Sequence, residues 1–109
     1  MNTDTLRGHR LMTAELEAAL PALYATDGQG DDALVVVHYF SPYRDWDWYG
    51  LEYNPTSRIF FGWVDGSEGE YGYFALAELE AATLRNGTPA VERDLHWTPV
   101  RLGDVRGGV

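Results

Sequence analysis

The sequence predicts an α+β fold, a mainly antiparallel sheet of four to five strands with two short helices in a single domain. Three observations carry that expectation. The chain has 109 residues, 45% of them apolar, enough for one core and too few for two. Strand-like runs follow one another from Ala33 to Phe74 with only hairpin-length turns between them. Helical stripes flank that block instead of alternating with its strands, which argues against parallel βαβ units.

The elements follow in order. Residues 1–10 are polar with little apolar periodicity and read as a flexible N-terminal arm, with the domain over 11–105 and a frayed tail over 106–109. Thr13 suits an N-cap, and Glu15 and Glu17 then lie near the positive end of a helix dipole. Leu16, Leu20 and Leu23 share a face, but Pro21 stops the helix, which is expected over Ala14–Leu20. The glycines and aspartates of ATDGQGDD mark a loop. ALVVVHYF, Ala33–Phe40, is apolar on both faces and reads as a central strand until Ser41 and Pro42 break it.

Trp46–Tyr53 and Ile59–Val64 read as a hairpin closed by Asn54, Pro55, Thr56 and Ser57. Strict alternation puts Trp46, Trp48, Gly50 and Glu52 on one face and Asp47, Tyr49, Leu51 and Tyr53 on the other. A short strand over Glu70–Phe74 leads to a second helix in LAELEAATL, which Asn86 and Gly87 can end and Pro89 prevents from resuming. A last strand is expected over Asp94–Thr98.

Composition excludes several chemistries. Without cysteine there is no disulfide, thiolate metal site or thiol nucleophile, and all eight basic residues are arginine, which removes a P-loop and a Schiff-base lysine. The net charge of −9 repels phosphate backbones and anionic membranes, so direct nucleic-acid binding is disfavoured. No stretch approaches the roughly 20 apolar residues of a membrane span, and MNTDTLRGHRLM has no apolar signal region, so the chain reads as cytoplasmic.

Thirteen of the fifteen aromatic residues lie between Tyr39 and Phe74, more than one small strand layer needs for its interior. Phe60, Phe61, Trp63 and Phe74 fit the core. Trp46, Trp48, Tyr49, Tyr71 and Tyr73 fit anchors of a partner-binding face, rimmed by Asp45, Asp47, Glu68 and Glu70. The acidic groups Asp65, Glu68 and Glu70 match no calcium-loop spacing and read more simply as solvated turn residues that keep a sheet edge from pairing. His9, His38 and His96 show no zinc spacing, and Ser67 in GSEG is no nucleophile elbow. His38 reads as a half-buried residue with a hydrogen-bond partner, or as a proton-transfer group beside a carboxylate. Arg93, between Glu92 and Asp94, suggests a clamp formed by the flanking acids. No catalytic residue, metal ligand or cofactor is assigned.

LMTAELEAALPALYA, DDALVVVHYF, WDWYGLEY, FFGWVDGSEGEYGYFALAELE and PAVERDLHWTP, in that order and at similar separations, resemble a bacterial family, Domain of Unknown Function family 2958, found on plasmids, phages and integrated elements. The family pattern usually has a small hydroxyl residue where this chain has Ala75, so Glu78 or the preceding strand must hold the start of the second helix. The resemblance implies no catalytic residues. It implies a mobile-element context, in which small acidic proteins often act by binding another protein.

The expected function is therefore a small acidic protein-binding module of a mobile genetic element or phage, of the counter-defence type (anti-restriction or anti-CRISPR), occupying a basic nucleic-acid-binding surface on its partner. Two alternatives differ in class. One is a metal-dependent hydrolase or nuclease using Asp65, Glu68 and Glu70, with Glu52 or His38 as base. The other is a structural accessory subunit whose aromatic face completes a dimer.

Overall fold

The computed structural model describes residues 1–107, and their architecture is α+β. Five strands form an antiparallel sheet in the order β5-β4-β3-β2-β6, with β2 at Val37–Ser41, β3 at Trp46–Asn54, β4 at Ile59–Asp65, β5 at Gly69–Ala75 and β6 at Glu92–Arg93. A separate two-stranded ribbon pairs β1, Leu34–Val35, with β7, Val100–Arg101. The helices are α1 at Asp4–Arg7, α2 at Ala14–Ala19, α3 at Leu76–Ala81 and α4 at Leu102–Arg106.

Two of these helices, α2 and α3, are the expected ones. Thr13 caps α2 by accepting the Leu16 amide, as its position implies. Ala75 gives α3 no side-chain cap, and the Leu76 amide instead donates to the Arg58 carbonyl at the end of the β4–β5 ladder. The preceding strand thus supplies what the missing hydroxyl would have provided.

The segment read as a loose arm is docked. Thr3 is buried, its amide and hydroxyl both reaching the Glu80 carbonyl at 2.9 and 2.7 Å, and Arg7 Nε donates to the Val91 carbonyl at 2.6 Å. It attaches through hydrogen bonds and not through an apolar stripe, so hydrophobic periodicity gave no sign of it. At the other end, α4 takes in Arg106, with Gly107 as its C-cap; residues 108 and 109 of the expected tail lie outside the described residues.

Three further expectations change. The run from Ala33 to Phe40 is broken at Val36, which leaves β1 to pair with β7 while β2 sits between β3 and β6. The last strand is not at Asp94–Thr98; Glu92–Arg93 pairs with β2 and Val100–Arg101 with β1, and the intervening turn seats Trp97, whose indole donates to the Val35 carbonyl. Arg93 is not clamped by its neighbouring acids. Its Nε donates to the Arg10 carbonyl, and its amide donates to His9 Nε2.

The register of the hairpin also differs from strict alternation. Gly50 pairs with Gly62 but Glu52 pairs with Phe61, so Leu51 is an extra residue in a β-bulge. Past it the faces exchange, and Tyr53 joins Trp48 on one face while Leu51 and Tyr49 lie on the other. Gly62 permits this geometry, because a Cβ there would stand 1.9 Å from the Tyr49 carbonyl oxygen.

The sheet has a different cover on each face. One is closed by α2, α3 and residues 11–12 over Tyr39, Tyr53, Phe60 and Phe74. The other carries a smaller core of Ala33, Val35, Leu51 and Leu102, around which Tyr49, Phe61, Trp63 and Trp97 are half-buried.

Candidate functional site

The aromatic residues expected to form one partner face are divided between the two faces of the sheet. Trp46 and Trp48 share the closed face with Val64, whereas Tyr49, Tyr71 and Tyr73 belong to the opposite one. Trp46 is 39% exposed and packs at 6.3 Å against Trp48, which itself rests on the main core. The Trp46 ring lies over Gly66, where a Cβ would come within 2.5 Å of it, so the glycine leaves the space that this position of the indole needs.

An apolar groove of about 310 Å³ opens beside these indoles. Ser41 and Arg44 edge it on the strand side, and Leu84, Ala90 and Val91 line the side formed by the segment after α3. Arg44 and the segment after α3 carried no sequence signal for this role, because the groove unites parts of the chain some 40 residues apart. Asp45 is exposed in the turn beside it.

On the other face the rings form a ladder. Phe61 stacks on Tyr71 at 5.7 Å, Trp63 meets Tyr71 edge-on at 5.0 Å, and the Arg106 guanidinium covers Trp63 at 4.3 Å while its Nη1 lies 3.3 Å from Asp31. Tyr71 and Tyr73 keep 42% and 56% of their surface exposed, and Tyr24 lies against Tyr73. Tyr24 is itself 66% exposed with a φ of 73°, a position that sequence reading missed inside the segment following Pro21. Glu68 and Glu70 are exposed at the N-terminal end of β5, with Asp65 at the end of β4.

His38 lies in a small polar cluster. Its Nε2 is 2.7 Å from Asp47 and its Nδ1 is 3.2 Å from Asp94, while its ring stacks on Tyr49 at 4.6 Å. Burial first, then the charges of Asp47, Asp65 and Asp94, push the Tyr49 phenol up to about 12. Asp47, expected on the rim of a partner face, is thus engaged inward. Both imidazole nitrogens are occupied, which ties β2, β3 and the turn after β6 together.

Of the two bases considered for hydrolysis, Glu52 does not reach the carboxylates of the Asp65–Glu70 turn, whereas His38 bonds Asp47, the ladder partner of Asp65. Glu52 is buried, and its carboxylate accepts the Tyr24 amide, the Thr26 amide and the Thr26 hydroxyl. It pairs with Phe61, whereas Asp65 pairs with Asp47 four steps along the ladder, about 13 Å away at strand spacing. Glu52 therefore anchors the Tyr24–Thr26 loop to the sheet. His96 is exposed, and its amide donates to Asp94.

Comparison with known families adds one assignment. The family described as proteins of unknown function, DUF2958, matches residues 11–102. The chain belongs to that family. No curated protein and no solved structure matches it. Within the matched span lie the Trp46 groove, the Asp47–His38–Asp94 cluster and the β5 tyrosines; α1 precedes it and most of α4 follows it. Among the described residues no helix is long and apolar enough to cross a membrane.

Proposed function

We propose that this DUF2958 protein is an acidic protein-binding module that acts by occupying a basic surface of its partner. The observation that carries the reading is the exposed indole of Trp46, packed over Gly66 and against Trp48 at the edge of an apolar groove. A ring already packed on its neighbours has less conformational freedom to lose on docking than a free one, and the groove beside it can admit an apolar side chain of the partner. The net charge of −9 supplies long-range attraction toward a basic target and repulsion from nucleic acid itself. In a mobile-element setting the corresponding role is counter-defence, in which the chain covers the nucleic-acid-binding surface of a restriction or CRISPR protein.

The test is affinity capture from host lysate with wild-type and Trp46→Ala chains, at rising salt. The reading expects a basic nucleic-acid-binding protein held by the wild type, released progressively by salt and lost with the variant. Retention that ignores both the substitution and the salt would sink it. Trp46→Ala is the informative change because Trp48 also supports the core, so its loss mixes binding with folding.

A further inference from the structure

We infer that the outer edge of β5 is a second docking place of this module, where it adds a basic β-strand of its partner to the sheet. The inference rests on the protein-binding reading and adds to the Trp46 groove a second place with its own mode. Among the described residues β5 pairs with β4 alone, and the seven residues of its edge run about 23 Å at strand spacing. The phase of the ladder decides which backbone groups are free. Leu76 N–H donates to Arg58 across the end of the ladder, and antiparallel bonding recurs at every second pair. Glu70, Gly72 and Phe74 therefore turn their amides and carbonyls toward β4, while Tyr71 and Tyr73 turn theirs outward.

The edge lacks the steric protections. GEYGYFA contains no proline and no lysine, and the β4–β5 register runs without a shift, so no bulge twists the edge away. What guards it is negative charge: Glu68 and Glu70 at its start, Asp65 across the turn, and Asp27 near Tyr73. Arg106, 5.8 Å from the Tyr71 ring, lies beside Asp31. That distribution repels a second copy of the same chain, whose edge carries the same acids, and attracts a strand bearing arginine or lysine. The Tyr71 and Tyr73 rings, exposed on one face beside the free amides, lie where alternate side chains of an added strand would pack.

The probe is a synthetic peptide of alternating arginine and valine, as long as β5, with an alternating glutamate–valine peptide as its control. Amide hydrogen exchange of the full chain is followed by NMR, and affinity by fluorescence anisotropy. The arginine peptide is expected to slow exchange at the Tyr71 and Tyr73 amides by about tenfold or more, while the glutamate peptide leaves them unchanged. Tyr73→Pro removes one outward N–H without costing a bond to β4, and should bind the arginine peptide roughly tenfold more weakly than Tyr73→Ala, which loses the same ring. Absence of binding, equal affinity of the two variants, or protection of these amides by self-association alone would each overturn the assignment. Arginine-peptide protection confined to the Trp46 groove would overturn the edge while leaving the protein-binding reading to its own test.

Discussion

The two faces of the central sheet are made of similar residues and held in different ways. On the closed face, Phe60 stacks on Phe74 at 4.9 Å beneath α3, Tyr39 is fully buried, and the Tyr39 hydroxyl donates to the Leu11 carbonyl at 2.6 Å. On the open face, Phe61, Trp63 and Tyr71 pack mainly on one another under a partial cover from α4 and the loop that Glu52 anchors. Aromatic content therefore does not distinguish core from surface in this chain. What distinguishes them is how much helix covers the rings: α2 and α3 both close one side, whereas the five-residue α4 covers the other only in part.

The largest expected contrast is between adjacent residues. Phe60→Ala should cost about 3–5 kcal/mol, whereas Phe61→Ala, half-buried on the open face, should cost roughly 1–2 kcal/mol. Chemical denaturation of both variants measures the difference, and equal losses would mean that the open face is covered as completely as the closed one.

Two glycines directly opposite each other sharpen the comparison between centre and edge. Gly62→Ala drives a methyl group against the Tyr49 carbonyl and should destabilise by about 3 kcal/mol. Its partner Gly72 on β5 has its nearest neighbour, Val64 Cγ2, at 4.0 Å, so Gly72→Ala should change stability by no more than about 0.5 kcal/mol. Thermal melts of the pair would show whether the edge strand is as open as its geometry implies.

Glu52→Gln probes the cover of the open face. The amide group of glutamine faces donors that now meet a carboxylate oxygen, so a loss of about 2 kcal/mol is expected, with faster exchange at the Tyr24 and Thr26 amides. Unchanged exchange there would show that the loop is held by other contacts.

The smallest effects are pH-dependent and of opposite sign. Burial, then the charges of Arg7 and Arg93, hold His9 below its ordinary value of 6.5, and its neutral Nε2 accepts the Arg93 amide. The unfolded chain therefore binds this proton first, so the contribution is complete above pH 6.5 and is lost as pH falls toward the lowered folded value. A phenol behaves conversely. Tyr49 titrates near 10 when unfolded and near 12 when folded, so its contribution is lost as pH rises through that interval. Denaturation midpoints of His9→Gln and Tyr49→Phe against wild type across both ranges isolate each contribution, and parallel pH profiles would remove the assignment.

Much of the secondary structure was legible because it depends on neighbours in sequence. Thr13 and Pro21 bounded α2, and the Asn54–Ser57 turn with its flanking aromatic runs defined the hairpin. The candidate site was legible only in part. Trp46, Tyr71 and Tyr73 are exposed as their excess over core needs implied, but the bulge at Leu51 and the break at Val36 were hidden, since each needs a partner strand to define its register. The arm was misread for a related reason: Thr3 and Arg7 attach to the carbonyls of Glu80 and Val91, which have no sequence signature.

Local spacing of apolar, turn and capping residues determined the class of fold, the order of its principal strands and helices and the negative sign of its field, because each depends on short-range geometry or on summed charge. Tertiary structure alone decided which rings are covered, that His38 lies between two aspartates, and that β5 presents the free amides of Tyr71 and Tyr73. Burial and hydrogen-bond pairing are settled between residues distant in sequence, and a linear pattern does not record which surface a neighbouring element will reach.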